Sequence, residues 1–382
     1  MAESLKSLLG EDAPQRLATL LHRAWSRFDR KAFTALAMPG YPILGLMARG
    51  ERMADALEQT LPADFERAAA ILSSAMDPPL PMDARGEPCS DGRGYSAFLY
   101  LPYSIFISRH GLEHFEAAMD AQHALTQRFT AEFSIRPFLV RHPAATLARL
   151  AQWTADPSGH VRRLVSEGTR PRLPWARRLP ALVADPSPGL ALLEHLRDDP
   201  SRYVRRSVAN HLGDVGKDHP QRLLALAGRW MSDAPPPRVQ LLRHALRTLV
   251  RRGDPDALSL LGSGHSSRLS IRSVSWAPAR PHIGDNLVVT LALHNPEAEV
   301  QTALVNLEIG YVKANGQLSP RTFSLGNVAL ASGGVVTLRK QLSLRQMTTR
   351  THYPGLHTIA LQLNGRRHPL GDFFLDPSPL TP

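Results

Sequence analysis

Three acidic residues stand out in the basic middle of this sequence. Glu167 lies in the string VRRLVSEGTR, Glu132 lies 35 residues before it, and Asp214 lies 47 residues after it. Acids are scarce here, because residues 136–252 hold 21 Lys and Arg against 9 Asp and Glu. Carboxylates that share one surface can stabilise an oxocarbenium-like sugar and activate water, which is the chemistry of glycosidic-bond hydrolysis.

The same acids have a structural interpretation. Each carboxylate could pair with a neighbouring arginine and order the surrounding fold; Glu167, for example, is flanked by Arg163 and Arg170. Three acids on a surface that faces DNA would repel phosphate, a cost that a purely binding protein has little reason to accept. Catalysis would explain that cost, although the residues alone leave both interpretations open.

The charge distribution indicates a polyanionic partner. The chain of 382 residues has a formal net charge of +11, and residues 136–252 alone contribute +12 from their 21 basic and 9 acidic side chains. Such a concentrated field attracts and steers a nucleic acid or an acidic membrane surface. Most of these cations are arginines, whose planar donors suit phosphate oxygens.

An internal repeat predicts the element that must position these residues. DPSGHVRRLV at residue 156 recurs as DPSRYVRRSV at residue 199, an offset of 43 residues that is typical of HEAT-like helix pairs. We expect first helices at 146–153 and 189–196, second helices that open at Val161 and Val204, a degenerate copy around Asp233, and an upstream unit at 116–139. Because the acids lie about one repeat apart, stacked repeats would bring them to one concave surface.

After residue 261 the pattern changes from helical spacing to alternation. Apolar runs at 269–274, 286–293, 303–309, 334–338 and 355–363 predict six or seven short strands of an immunoglobulin-like β-sandwich. The expected fold class is therefore α plus β and multidomain, with a HEAT-like α-solenoid at 1–262, a linker at 263–268 and a sandwich at 269–382. Residues 78–96 predict a long loop, either a lid or a connection.

One hairpin of the sandwich is a candidate DNA contact. Asn315-Gly316 favours positive φ and a tight turn, which would place Lys313 at the hairpin tip. We predict that Lys313 and Asn315 enter a groove of the duplex opposite the repeats. A plain solvent-exposed hairpin is the alternative.

Other site classes find little support in the sequence. Cys89 is the single cysteine, so the chain lacks thiolate pairs for a disulfide framework or a thiolate metal site. Histidines are not clustered at ligand spacing, and nucleotide-binding loops and nucleophile elbows are missing, so we expect no metal and no cofactor. Without an apolar run of membrane-spanning length or a signal-peptide pattern, a cytoplasmic protein is expected, nucleoid-associated in a bacterium.

Several long strings resemble the AlkC branch of the HEAT-like repeat DNA glycosylases, the superfamily that includes AlkD. They are LTQRFTAEFSIRPFL, HVRRLVSEGTRPRLPWA, YVRRSVANHLGDVGKDHP and HALRTLVRRG, within residues 98–262. The resemblance implies a monofunctional, metal-free enzyme that excises cationic N3-methylated bases, chiefly 3-methyladenine and 3-methylcytosine, from duplex DNA without base flipping. Glu132, Glu167 and Asp214 match the family's active-site acids, and Trp175 matches the aromatic residue beside them.

The remaining candidates are cations for DNA phosphates. They are Arg136, Arg163, Arg170, Arg172, Arg206, Lys217 and Arg247. We expect a monomer with no obligate protein partner and no membrane attachment. A noncatalytic HEAT-repeat DNA-binding scaffold is the principal alternative, and RNA binding is a third.

Overall fold

The computed structural model describes residues 5–84, 86–89, 94–262, 267–347 and 350–378. Their helical part comprises α1 Ala13–Ala24, α2 Arg30–Ala37, α3 Leu46–Thr60, α4 Phe65–Ala75, α5 Leu101–His110, α6 Phe115–Thr126, α7 Ile135–Arg141, α8 Pro143–Trp153, α9 Gly159–Gly168, α10 Pro180–Ala184, α11 Ser187–Leu196, α12 Arg202–Asp218, α13 Pro220–Met231, α14 Pro236–Arg251 and α15 Pro255–Leu260. Short 3-10 turns occupy Leu5–Leu9, Tyr41–Ile43 and Gly94–Tyr100. The predicted class, helical repeats followed by a β-sandwich, is confirmed.

The two copies of the repeat fold alike. In each copy an aspartate after the first helix accepts a hydrogen bond from the backbone N–H two residues later: Asp156 from Ser158 at 2.7 Å, and Asp199 from Ser201 at 2.8 Å. This turn ends α8 or α11 and starts α9 or α12, each two residues before the valine that was expected to open it. Repeated turn chemistry thus gives repeated helix pairs.

The two consecutive arginines of each copy have different contacts. The first arginine folds back onto its own turn, since Arg162 donates to the Asp156 carbonyl at 2.8 Å and Arg205 donates to the Asp199 carbonyl at 2.5 Å. Arg162 also pairs with Asp199 of the next copy at 2.6 Å, which ties the two repeats together. Among the described residues, the second arginine makes no such contact with the turn: Arg163 pairs with Glu132, and Arg206 lines a groove.

The loop at 78–96 is anchored over the part that the structure describes. Residues 82 and 88 form a bridge, and the turn between them reaches the start of α12. Ser201 Oγ donates to the Gly86 carbonyl at 2.5 Å, and the Tyr203 N–H donates to Glu87 Oε1 at 2.9 Å. Glu87 therefore satisfies an orphan N–H of the first turn of α12, as an N-terminal cap does. This part of the loop is therefore a connection that also caps α12. Residues 85 and 90–93 of the loop lie outside the described residues.

The chain divides into two compact units. One comprises Met1–His219 with Asp233–Ala245, and the other comprises Pro220–Ser232 with Leu246–Pro382. The second unit therefore holds the strands together with α13, the end of α14 and α15. In that unit Gly253 and Gly365 meet so closely that a Cβ on Gly253 would stand 2.8 Å from the Gly365 carbonyl oxygen.

The β-sandwich consists of two antiparallel sheets. Its strands are β1 Ser270–Ala277, β2 Asn286–His294, β3 Gln301–Val312, β4 Leu318–Leu330, β5 Val335–Ser343, β6 Gly355–Leu363 and β7 Arg366–Leu375. One sheet has the order β1-β2-β5 and the other the order β4-β3-β6-β7. Along β2 the buried residues Leu287, Val289 and Leu291 alternate with more exposed ones. Leu287 and Val289 pack in one core cluster with Leu307 and Ile359 of the facing sheet, and Leu291 packs in a second cluster with Leu361. A period of two thus fills the core from both sheets.

Candidate active site

Glu132, Glu167 and Asp214 come together in the first compact unit through two arginines. Arg163 donates to Glu132 Oε2 at 2.6 Å and lies 3.7 Å from Glu167 Oε1. Arg170 then bridges Glu167 at 2.6 Å and Asp214 at 2.8 Å. The result is an alternating row of carboxylates and guanidinium groups that spans three consecutive helix pairs.

Glu167 is the central member of this row. It sits at the C-terminal end of α9 and is 6% exposed. Burial, the largest influence, raises its pKa, but the guanidinium groups of Arg163 and Arg170 and a 2.6 Å hydrogen bond from Ser207 Oγ outweigh burial. The pKa of Glu167 therefore lies below its ordinary value, and the carboxylate is held in its anionic form at neutral pH.

The three acids differ in their access to solvent. Asp214, on α12, is 2% exposed, and its two oxygens accept hydrogen bonds from Arg170 and from Lys217 Nζ at 2.8 Å. Glu132 lies in the turn before α7, and its Oε2 accepts from Thr130 Oγ1 at 2.8 Å as well as from Arg163. Its Oε1 has no hydrogen-bond partner among the residues that the structure describes. Glu132 is thus the acid best placed to hold a further group.

A groove of about 790 Å³ opens beside the row. Glu132, Glu167 and Arg170 form its polar side, and Asp214 is not among its lining residues. Apart from Thr130, the remaining lining residues are apolar: Gly45, Leu46, Met47, Phe98, Leu101, Phe129, Phe133, Leu173, Pro174 and Trp175. An apolar wall facing ionised carboxylates lowers the local polarisability, which strengthens their action on a nearby positive charge.

Trp175 projects from the loop after α9. The residue is 82% exposed. Its φ of 64° is a left-handed backbone conformation that a bulky residue rarely adopts. Such a conformation costs about 1–3 kcal/mol and persists only where the surroundings fix it. An exposed ring held at that cost beside two carboxylates is a candidate contact for the substrate.

Arg136 does not fit the phosphate-binding role expected from the sequence. It is 5% exposed, and its guanidinium group donates to the carbonyls of Gly168 and Arg170 at 3.0 and 2.9 Å. It donates twice more to the carbonyl of Arg177, at 3.0 and 2.6 Å. Burial and the nearby Arg170 lower the pKa of Arg136 to about 10, so it stays charged. Because its donors point inward to backbone oxygens, we remove Arg136 from the DNA-contacting set.

The other expected cations are distributed over several environments. Arg163 and Arg170 belong to the row of acids, while Arg172 pairs with Asp218 through two hydrogen bonds of 2.6 and 2.5 Å. Lys217 pairs with Asp214 but keeps 48% of its side chain exposed. Arg247 is partly buried on α14, in the second compact unit. These placements leave fewer exposed cations than the sequence suggested.

Arg206 lies in a second groove of the first unit, between α12 and the first half of α14. This groove of about 350 Å³ is lined by Arg202, Arg205, Arg206, Ala209, Pro237, Gln240, Leu241 and His244. Arg206 is exposed and has no ion-pair partner among the described residues. Since the lining carries three arginines and no acid, the groove is an electropositive site that suits a phosphate oxygen.

The hairpin that carries Lys313 and Asn315 differs in detail from the prediction. Gly316 has a φ of 75°, whereas Asn315 is not among the positive-φ residues. The Lys313 N–H donates to the Gln317 carbonyl at 2.9 Å, so Lys313 closes the turn, and Ala314 and Asn315 form its tip. A pocket of about 530 Å³ beside the turn also contains Arg321 and Arg350. The second unit therefore presents three cations around one hairpin.

Several residues of the site were not anticipated. Ser207, which donates to Glu167, stands where the preceding repeat has Leu164, and this exchange of a core leucine for a hydroxyl was a signal in the repeat comparison. Tyr203 places its ring 5.3 Å from the Arg163 guanidinium carbon, a cation–π contact that backs the row. Phe129 and Phe133 form the apolar wall but lack a sequence pattern that separates them from core residues.

Within the described residues, no group of three or more His, Cys, Asp or Glu side chains could hold a metal ion. In the same part of the chain, no helix has the length and apolar character needed to cross a membrane.

Comparisons with known proteins were made for the sequence and for the fold. Residues 270–377 match the family described as "Uncharacterised protein YhaZ, C-terminal Ig-like domain". The chain is 33% identical to the protein YhaZ of Bacillus subtilis (strain 168) over 362 aligned residues. The alignment covers 94% of this chain and 96% of the relative. The structure of Pseudomonas fluorescens alkylpurine DNA glycosylase AlkC, bound to DNA containing an abasic site analog, matches with a TM-score of 0.89 and 34% identity over 97% of this chain and 99% of that one.

Proposed function

This chain belongs to the family of AlkC and YhaZ, and on that premise we propose that it is a DNA glycosylase that excises alkylated bases from duplex DNA. The observation that carries the proposal is the groove beside the acids. Two carboxylates, Glu132 and Glu167, line it together with an exposed tryptophan. A noncatalytic scaffold could use the arginine pairs of Glu167 and Asp214 to order its repeats, but it has little reason to keep a Glu132 oxygen, unpaired among the described residues, on a groove that would face DNA.

We propose different tasks for the two groove-lining acids. Glu167 has both oxygens occupied by Arg170 and Ser207, and its pKa is lowered, so it is a poor base and a good fixed negative charge. It would stabilise the positive charge that develops on the deoxyribose as the glycosidic bond breaks. Glu132, with Oε1 available, would orient a water molecule and accept its proton.

The bond changes of this reaction balance without a cofactor. The departing base takes the electron pair of the glycosidic bond, and this pair neutralises the positive charge of an N3-alkylated base. The water oxygen forms the new bond to the sugar carbon, and its proton passes to Glu132. Asp214 would act behind the groove, because through Arg170 it fixes the position of Glu167.

The finer substrate claims rest on the resemblance and on the site's charge. We propose that the bases removed are N3-methyladenine and N3-methylcytosine, because a cationic base is already a good leaving group. We also propose that the base stays stacked; 2-aminopurine placed next to the lesion would then show no rise in fluorescence on binding. A clear rise would indicate base flipping.

Binding of the duplex would use cations of both units. In the first unit the groove of Arg202, Arg205 and Arg206 offers donors for a phosphate, and in the second unit Lys313 and Asn315 lie on the hairpin beside Arg321 and Arg350. Deletion of residues 313–316 tests the second contribution. Unchanged affinity for lesion DNA at physiological salt would contradict it. The domain boundaries at 262 and 269 remain part of the proposal.

The decisive experiment measures base release from methylated duplex DNA. Free bases are quantified by mass spectrometry for the wild-type protein and for Glu132→Gln and Glu167→Gln. The proposal expects N3-methylated bases from the wild type and strongly reduced release from both variants. Binding without release by the wild type would favour a scaffold, and stronger competition by duplex RNA than by duplex DNA would favour an RNA partner.

A further inference from the structure

The loop that carries Trp175 is closed at its base by one buried side chain and by a backbone hydrogen bond from the Leu179 N–H to the Pro171 carbonyl. We define the Trp175 loop as residues 169–177, which follow the last residue of α9. Arg136 of α7 donates to the carbonyls of Gly168 and Arg170 at one end of this loop and to the carbonyl of Arg177 at the other. A single guanidinium group thus holds both ends, which lie 32 to 41 residues away in the sequence.

The contact is chemically specific to arginine. Four hydrogen bonds of 2.6–3.0 Å use the Nε, Nη1 and Nη2 atoms together, and the acceptors are backbone oxygens that lie in two directions. The carbonyl of Gly168 lies at the C-terminal end of α9, where helix carbonyls lack intrahelical partners and a cation is favourable, and the carbonyl of Arg170 lies two residues beyond that end. A lysine would keep the charge but could not span both ends from one nitrogen.

Close packing brings the end of α9 within reach of Arg136. A Cβ on Gly168 would stand 2.6 Å from Ile135 Cγ2, so the glycine allows α7 to touch the end of α9. The first half of the loop is held in addition by the pairs of Arg170 with Asp214 and of Arg172 with Asp218. The half that contains Trp175 is held by Arg136 through the Arg177 carbonyl. Two backbone hydrogen bonds add to this contact, from the Leu179 N–H to the Pro171 carbonyl at 3.2 Å and from the Ala176 N–H to the Leu173 carbonyl at 3.3 Å.

We propose that Arg136 is a positioning residue of the glycosylase site, which holds Trp175 in its left-handed, exposed conformation and Glu167 at the groove. This inference rests on the proposed function for its kinetic consequence. Arg136 itself touches no substrate; it acts through the Trp175 loop. Since Trp175 has a φ of 64°, the loop would relax toward ordinary backbone angles if the clamp were removed.

The test compares Arg136→Lys with Arg141→Lys, a matched control on the same helix whose arginine is exposed and pairs with Glu113 at 3.5 Å. We expect the single-turnover rate of base release to fall by about 100-fold in Arg136→Lys, the order of loss that follows a misplacement of about 1 Å. DNA affinity should stay unchanged, and the Arg141→Lys variant should behave as the wild type.

A spectroscopic readout separates positioning from a general loss of stability. Acrylamide quenching specific to Trp175 is obtained by comparing each protein with its Trp175→Phe counterpart, and we expect it to change in Arg136→Lys but not in Arg141→Lys. In the Trp175→Phe background the lysine substitution should cost less rate than in the wild type, since coupled residues are not additive. Additive losses, or unchanged quenching, would overturn the proposal.

Two further outcomes are informative. A loss of DNA affinity in Arg136→Lys with an unchanged rate would make Arg136 a DNA contact and refute the clamp. If the variant does not fold, the wild-type Nε–H of Arg136 decides: slow exchange with deuterium supports the clamp, and exchange as fast as that of Arg141 refutes it. If the wild type releases no base, the proposed function fails, but quenching and exchange still test the clamp.

Discussion

Replacing Glu167 by glutamine should separate catalysis from DNA binding. The substitution keeps the shape of the side chain and removes its charge. Two unit charges about 4 Å apart interact by about 4 kcal/mol at an effective dielectric constant of about 20. If the carboxylate stabilises the sugar cation at that distance, its loss raises the barrier by a similar amount, which is about a 10³-fold decrease in rate. Arg163 and Arg170, left without their shared counter-charge, would act in the same direction.

The affinity of Glu167→Gln for DNA should not fall with the rate. The surface loses one negative charge beside its arginines, so Glu167→Gln should bind duplex DNA as tightly as the wild type or more tightly. The assay is single-turnover base release from methylated duplex, with affinity measured on undamaged duplex at the same salt. Asp198→Asn serves as the control, because Asp198 also pairs with an arginine, Arg238, but does not line the groove. A rate within tenfold of the wild type, or weaker DNA binding together with a lower rate, would refute the electrostatic role.

Three further predictions address the aromatic residue, a buried histidine and the second groove. Trp175→Gly should lower the rate of base release while raising the free energy of unfolding by up to about 1 kcal/mol, because glycine adopts a φ of 64° without strain; denaturant titration checks this, and a clear destabilisation would contradict it. Burial lowers the pKa of His211 to about 4, and in the unfolded chain this histidine titrates near 6.5. Stability should therefore be highest above pH 6.5 and fall by about 3 kcal/mol as the pH drops toward 4, a loss that His211→Gln should reduce and that a pH series of unfolding curves measures. Arg206→Gln should weaken DNA binding and reduce the slope of log affinity against log salt by about 0.9, as expected for one lost phosphate contact; an unchanged slope would remove Arg206 from the interface.

The repeat in the sequence was enough to predict that the acids come together, but not that Asp214 lies outside the groove that Glu132 and Glu167 line. Glu132, Glu167 and Asp214 are spaced by about one helix pair, and stacking alone brings such positions together. The distribution of arginine contacts could not be derived in the same way. Whether an arginine faces DNA, a carboxylate or a carbonyl depends on helix phase, and α7 with its seven residues is too short for a clear amphipathic pattern. The acceptors of Arg136 are backbone carbonyls. Because every residue has one, the sequence does not indicate which carbonyls an arginine will bind.

The strands show a similar division. The five runs named from alternation correspond to β1, β2, β3, β5 and β6, whereas β4 and β7 were not named individually. Both lie at the edges of their sheet. Each contains a proline, Pro320 in β4 and Pro369 in β7, which a central strand would not tolerate. Edge strands also bury only part of one face, so their alternation is weak.

The alternating row of acids and cations acts differently on a distant charge and on a charge in contact with it. Its three carboxylates are matched by Arg163, Arg170 and Lys217, so the row as a whole is neutral. The field of a neutral row decays faster than that of a single charge, and beyond a Debye length of about 8 Å it adds little to what an approaching anion encounters. An incoming phosphodiester would respond at that distance to the surplus arginines around the row. Only a group that enters the groove would meet individual oxygen atoms, and there a cation is favoured. The same surface can therefore recruit an anion from afar and stabilise a positive charge at contact, because the two tasks act over different lengths.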